Sequence, residues 1–274
     1  MPIVFYHQYT PNKTMPIPPD YKAIVQEAQA LVRGQLEEEG MTMGHQDHAH
    51  FVAWESSKMQ YQQFDQLLEM AEPTIERILA AGQKVRFLDY GCGAADLLRY
   101  LDSQLEPDSF TYLGVDILEG MVQEAERQLQ QRKPGMAEAQ VQLIAASSDF
   151  GAFALGGSTD QSFDVVIASG VFSLVVDHTD VLRFMQCFAG AQAIALNVFA
   201  HGKQGPISQR DSQYTVYTLY DPVLLLAYLQ QSDLATTHTL LMKVYDHETD
   251  ELVGAGFARD GDTVVVYSGR LVRE

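Results

Sequence analysis

Two carboxylates and a glycine pair stand where chemistry would be done. In VRFLDYGCGAADLLRYL, Val85 to Leu101, an apolar run ends in Asp89 and is followed by the turn Gly91-Cys92-Gly93. A second apolar run, FTYLGV from Phe110 to Val115, ends in Asp116. A strand that breaks on glycines into a helix gathers backbone N–H groups and a helix N-terminus around one point, and that geometry receives a nucleotide-like ligand. Glycines needed only for positive φ would give the same pattern, so the neighbouring residues decide. A dinucleotide-binding turn wants a third glycine, and that place holds Asp96. A P-loop wants Lys followed by Ser or Thr, and Ala94-Ala95 stand there instead. Asp89 would repel a pyrophosphate and attract an amino group. Asp116, at the end of the second strand, is placed to accept hydrogen bonds from ribose hydroxyls.

The elements that must position these residues follow a βα alternation. Strands are expected at 85–89, 110–115, 140–145, 163–169 and 191–199, with helices at 94–103, 118–132 and 179–188 between them. The run 163–169 is apolar after Asp164, as befits a strand buried on both faces. Alternation of this kind predicts a parallel sheet with ligand at the strand C-termini. Two more strands are expected at 236–245 and 263–268, after a helix that starts at Asp221-Pro222, and a hairpin over 246–261 joins them. About eighty residues precede the first strand. They comprise a proline-rich arm over 1–20, a helix over Tyr21–Glu39, a helix through Met59–Met70, and a further one from Thr74 to Ala81 that Pro73 opens. The domain boundary is expected after Gly82, with 1–82 as arm and helical cap and 83–274 as the ligand-binding domain. The polar stretch 201–215, directly after the fifth strand, is expected as a substrate lid carrying Lys203 and Arg210.

Four blocks in this order, FLDYGCGAADLL (87–98), YLGVDILEGMVQEAE (112–126), VQLIAASSDF (141–150) and FDVVIASGVFSLV (163–175), resemble the class I S-adenosylmethionine-dependent methyltransferases. The resemblance covers roughly residues 80–200 well. It implies an α/β fold: a seven-stranded, mostly parallel Rossmann-like sheet with an antiparallel last strand, helices on both faces and an N-terminal helical extension. It implies S-adenosyl-L-methionine as cofactor. Asp89 and the Gly91, Cys92 and Gly93 backbone would hold its methionine end. Asp116 would take the ribose hydroxyls and Ile117 would pack on the adenine. Ser148, Asp149 and Phe150 would lie along the adenine edge, with Ser169 and Gly170 beside the methyl group. The helix before the first strand is similar to a little-characterised bacterial group through Trp54, Ser56, Gln60 and Phe64. That likeness implies that Gln60 faces the cofactor pocket. The group carries Arg before the Phe, and this chain has Gln63.

Methyl transfer from a sulfonium needs positioning and a dry site, and a base only for a poor nucleophile. The groups expected near the methyl are Ser169, Phe172, Asp177, His178, Asn197 and His201, with His178 as candidate base and Ser169 as a second catalytic candidate. The sequence after strand 4, Ser169-Gly170-Val171-Phe172, lacks the Asn/Asp-Pro-Pro-Tyr/Phe pattern and so argues against methylation of adenine or glutamine amides. His45, His48 and His50 cluster with Asp47, but their spacing fits no zinc signature, and no metal is expected.

Composition bounds the partners. Asp+Glu number 36 against 18 Lys+Arg, a formal net charge of −18. Such a chain repels phosphate backbones and anionic membranes, so neither nucleic acid nor a membrane is expected as partner. Two cysteines, Cys92 and Cys187, make no disulfide framework. The N-terminus lacks the layout of a secretory signal, and a soluble cytoplasmic protein is expected. The expected function is methyl transfer to a small-molecule acceptor, by a monomer or homodimer. The alternatives are a non-catalytic interaction module of the same fold, a protein methyltransferase, and a nicotinamide-dependent enzyme disfavoured by Asp89 and Asp96.

Overall fold

The computed structural model describes residues 57–116, 119–144, 163–173, 178–201, 207–211, 216–220, 238–246, 252–257 and 263–272. Helix α1 spans Ser57–Ala80, a 24-residue helix with Pro73 inside it. The expected break at Pro73 is absent. Phe64, Leu67, Ala71, Ile75 and Ile78 recur at helical spacing and are all buried. That continuous apolar face carries the helix through the proline, whose ring lies on the exposed side.

Then come β1 (Val85–Tyr90), α2 (Asp96–Gln104), β2 (Phe110–Asp116), α3 (Glu119–Gln130), β3 (Glu138–Leu143), β4 (Val165–Ala168), α4 (His178–Cys187) and β5 (Ala193–His201). The strands line up as β3-β2-β1-β4-β5, all parallel. The expected alternation is therefore present, and boundaries move by one or two residues. Helix α2 starts two residues late because Ala95 is left-handed, with φ 62°. All residues of β4 are buried, which is why that strand reads as an uninterrupted apolar run.

Side chains alternate across the sheet. Val85 and Phe87 face a core shared with Leu67 of α1, Leu98 and Leu101 of α2, and Ala125 of α3. Phe87 meets Phe110 edge-on at 6.0 Å. On the other face Tyr90 packs against Phe184 of α4 at 5.1 Å. The N-terminal edge of the sheet is closed by Asp164, just before β4. Its carboxylate takes the Arg86 backbone N–H at 2.9 Å, the Arg86 guanidinium at 2.8 and 2.9 Å, and the Gln192 amide at 2.9 Å. One buried carboxylate thus joins β1, β4 and the approach to β5. Burial pushes that carboxyl up, but the Arg86 hydrogen bonds outweigh it and hold Asp164 below the usual range.

Beyond β5 the arrangement departs from expectation. The described strands continue with β6 (Ile207–Asp211), β7 (Val216–Tyr220), β8 (His238–Asp246), β9 (Leu252–Phe257) and β10 (Thr263–Val272), in one sheet of ten. The seven-stranded sheet is corrected accordingly. Strand β10 lies between β5 and β8 and runs parallel to both. The expected antiparallel last strand is therefore corrected too, and the reason is one extra reversal. The segment expected as a plain hairpin contains β9, antiparallel to β8, so the chain turns back once more before it enters β10. The expected lid likewise contains strands. β6 and β7 pair antiparallel, and β7 joins β5 at Phe199 and Ala200, past Leu196, which pairs with Ala168 at the end of β4.

Candidate active site

The glycine turn sits at the C-terminal tip of β1. Gly91 and Gly93 have φ of 76° and 52°, which favours glycine at both. Gly91 also needs its lack of a Cβ, because Val171 Cγ2 would lie 2.3 Å from one. The short turn Val171–Ser173 after β4 therefore closes directly onto the glycine turn. The turn spends its donors inside the protein. The N–H groups of Gly91 and Cys92 donate to Val115 O at 2.8 and 2.9 Å, and that of Ala95 to Cys92 O at 2.9 Å. The Gly93 N–H donates to Asp116 Oδ2 at 2.9 Å. That last bond ties the tip of β1 to the tip of β2 and fixes the orientation of the Asp116 carboxylate, which is 7% exposed.

Asp89 lies beneath the turn, opposite Gly114 in the ladder. The Tyr112 hydroxyl donates to Asp89 Oδ2 at 2.6 Å. Tyr112 reaches it by lying along its own strand over Gly114, where any Cβ would stand 2.9 Å from the hydroxyl and 2.9 Å from Cys92 Sγ. Asp89 is buried, and among the described residues no cation forms an ion pair with it. Burial raises its carboxyl to about 7; the Tyr112 hydrogen bond opposes the rise, and the charges of Asp116 and Asp96 add to it. A carboxylate so placed is best stabilised by a cation arriving from outside. The Cys92 thiol is pushed up by burial and by Asp89 and Asp116, which removes it as a nucleophile.

The other half of the site is at the tips of β4 and β5. Asp89 pairs with Ile167 and Ala168 with Leu196; continued past the ends of the ladders, this register sets Gly91, Ser169 and Asn197 side by side. The Gly170 N–H donates to Asn197 Oδ1 at 2.7 Å, and Asn197 Nδ2 donates to Gln63 Oε1 of α1. Gln60, one helical turn away, donates to Asp96 Oδ2 at 3.0 Å. Helix α1 thus bridges the start of α2 and the tips of β4 and β5. Gln63 Nε2 and Ser169 Oγ are buried with no hydrogen-bond partner among the described residues.

The structure brings Asp89, Gly91, Cys92, Gly93, Asp116, Ser169, Gly170 and Gln60 to one edge of the sheet. Ile117, Ser148, Asp149, Phe150, Asp177 and the cluster His45, His48 and His50 lie outside the described residues. His178 is the first residue of α4, and His201 the last of β5. Phe172 is fully buried and packs on Phe184 at 5.2 Å. Sequence reasoning missed Tyr112, although Tyr112-x-Gly114 on one face of a strand was a usable signal, since a small residue two ahead leaves room for the ring. Among the described residues no group of three His, Cys, Asp or Glu could hold a metal, and no helix is long and apolar enough to cross a membrane.

Residues 88–191 match the family profile described as "Methyltransferase domain". The segment begins in β1, contains the glycine turn and Asp116, and ends before β5. Over residues 88–191 the chain is therefore similar to a methyltransferase domain. No curated protein matches the chain. Solved structures similar to it include the plantazolicin methyltransferase BpumL with a triazolic desmethylPZN analog and SAH, at 16% identity and TM-score 0.40, over 62% of this chain and 57% of that one. Magnesium protoporphyrin IX methyltransferase (ChlM) from Synechocystis PCC 6803 with bound SAM is 16% identical, with TM-score 0.39, over 70% of this chain and 95% of that one. The methyltransferase domain of bacterial-CtHen1-CN is 18% identical, with TM-score 0.36, over 50% of this chain and 65% of that one. The chain thus spans little more than half of the plantazolicin enzyme, and likenesses of this depth carry no weight for substrate.

Proposed function

We propose that the chain transfers a methyl group from S-adenosylmethionine to a small-molecule acceptor. The observation that carries this reading is the Gly93 N–H to Asp116 bond, which couples a glycine turn to a carboxylate at the neighbouring strand tip. Asp116, so oriented, suits the ribose hydroxyls, and the buried Asp89 suits the ligand's positive end. The residues fit the donor by their chemistry: acceptors stand where a cationic, hydroxylated ligand offers donors. Bound there, the donor supplies an electrophilic methyl group together with its own leaving group. The chain's own work is then to orient the acceptor and exclude water. A small acceptor is supported by α1, whose bonds from Gln60 to Asp96 and from Gln63 to Asn197 cover the edge of the sheet. The net charge of −18 speaks against nucleic acid as acceptor. Ser169 belongs to this proposal as a group beside the methyl, and His178 as the base. So do Ile117, Ser148, Asp149 and Phe150 on the adenine, and the division of the chain at residue 82.

Calorimetry with S-adenosylhomocysteine tests the reading. Binding in the micromolar range is expected, with at least about tenfold loss in Asp116→Ala, and no binding of NADH. Unchanged affinity in that variant would refute it. Release of S-adenosylhomocysteine on addition of metabolite extract separates an enzyme from a binding module.

A further inference from the structure

Two buried polar atoms at the sheet edge have no partner among the described residues, and one has its identity forced. The Gly170 N–H can only donate, so the Asn197 atom facing it at 2.7 Å is the oxygen. Asn197 therefore turns its amide nitrogen to Gln63, and the Gln63 atom that receives it is the oxygen. The Gln63 amide nitrogen must then face away, and it is buried and unpartnered in a residue only 2% exposed. The usual ambiguity between amide oxygen and nitrogen is removed by a chain of bonds anchored on backbone. Ser169 Oγ, next to Asn197 across the ladder, is the second unpartnered atom. Buried donors without acceptors are costly and are expected to meet one when a ligand is bound.

The position and the sign of these groups select the ligand atom. Ser169 is one strand from Gly91, about 4.8 Å in the hydrogen-bonding direction. The acceptors of the site, Asp89 and Asp116, already suit an ammonium and ribose hydroxyls. An amino-acid end also carries a carboxylate, which needs donors. The turn's N–H groups at Gly91, Cys92 and Gly93 are spent on Val115 and Asp116. The cations flanking the turn in sequence, Arg86 and Arg99, are paired with Asp164 and Asp96. We propose that the Gln63 amide and the Ser169 hydroxyl together receive the carboxylate of the methyl donor's amino-acid end, with Asn197 as the positioning residue that holds the amide in place. This rests on the methyl-donor reading above. It gives the chain a neutral carboxylate receptor.

Calorimetry on the full chain compares S-adenosylhomocysteine with 5′-methylthioadenosine, which lacks the amino-acid end. Gln63→Met and Ser169→Ala are each expected to weaken S-adenosylhomocysteine about tenfold. Methylthioadenosine should stay within about twofold of its affinity for the unaltered chain. Should Gln63→Met fail to fold by thermal denaturation, Ser169→Ala and Gln63→Glu carry the same comparison, with Gln63→Glu repelling the carboxylate increasingly as pH rises. Equal weakening of both ligands, or no weakening of S-adenosylhomocysteine, overturns the proposal. So does loss of turnover on metabolite extract with S-adenosylhomocysteine affinity intact, which would place the donor pair on the methyl acceptor instead. An unaltered chain that binds neither nucleoside overturns the functional reading itself, a result distinct from either of these.

Discussion

Ligand binding should expel a proton from Asp89. Its carboxyl stands at about 7 in the free protein, chiefly because it is buried, against 3.8 in water. An ammonium seated near the turn would return it toward the ordinary value. With those two values, binding releases about 0.9 proton at pH 6, about half at pH 7 and about 0.1 at pH 8. Affinity for S-adenosylhomocysteine should then climb up to about fiftyfold from pH 5 to pH 7 and flatten above. The assay is calorimetry at pH 6 in buffers of different ionisation enthalpy, where the slope of apparent heat against buffer enthalpy counts the protons. Asp89→Asn keeps an acceptor for the Tyr112 hydroxyl but has no proton to lose, so its slope should vanish. The free protein supplies a check of sign. A carboxyl whose folded value is raised lowers stability as pH rises from about 4 to about 7, by at most about 4 kcal/mol. Asp89→Asn should therefore melt higher than the unaltered chain at pH 8 while binding ligand more weakly. A slope near zero in the unaltered chain, or an undiminished slope in Asp89→Asn, would refute the idea that a cation settles against this carboxylate.

Tyr112→Phe removes the hydrogen bond that holds the Asp89 carboxyl down. The pH midpoint of proton release should move upward, and calorimetry across pH would show it. Gly91→Ala places a Cβ 2.3 Å from Val171 Cγ2 at a φ of 76°, and should cost about 1–3 kcal/mol in urea denaturation. Val171→Ala in the same chain should restore part of that loss. Asp164→Asn loosens the opposite edge of the sheet and should cost about 2–3 kcal/mol, with S-adenosylhomocysteine affinity unchanged in the folded fraction. The Asp164 carboxyl is held below the usual range, so its contribution is present above that range and lost as pH falls through the lowered value. Acid denaturation of Asp164→Asn should be correspondingly less steep.

Parallel strands buried on both faces leave a plain trace in sequence, and β1, β2, β4 and β5 were readable for that reason. The glycine turn and the two carboxylates were readable because each ends an apolar run. Direction beyond β5 was not. Whether β10 runs with or against β5 depends on a single reversal at β9, and LVGAGF is too rich in glycine to read as a strand. Pro73 misled because a local rule met a packed face that overrides it. The pairing of Gln63 with Asn197 joins residues 134 apart, and neither residue type signals a partner at that range.

The two edges of the sheet differ in how their polar groups are satisfied, and that difference points to function without any appeal to relatives. At the N-terminal edge Asp164 meets a backbone N–H, a guanidinium and an amide, and ion pairing holds its carboxyl low. At the C-terminal edge, among the described residues, Asp89 is buried with a phenol donating to it, and Gln63 and Ser169 keep unpartnered atoms. A fold under selection for stability alone would have repaired the second edge with the means it used at the first, since one arginine would satisfy Asp89. That it did not is intelligible if the missing partners arrive together on one molecule, with a cation for Asp89 and an anion for Gln63 and Ser169. A zwitterionic amino-acid end carries both charges on adjacent atoms.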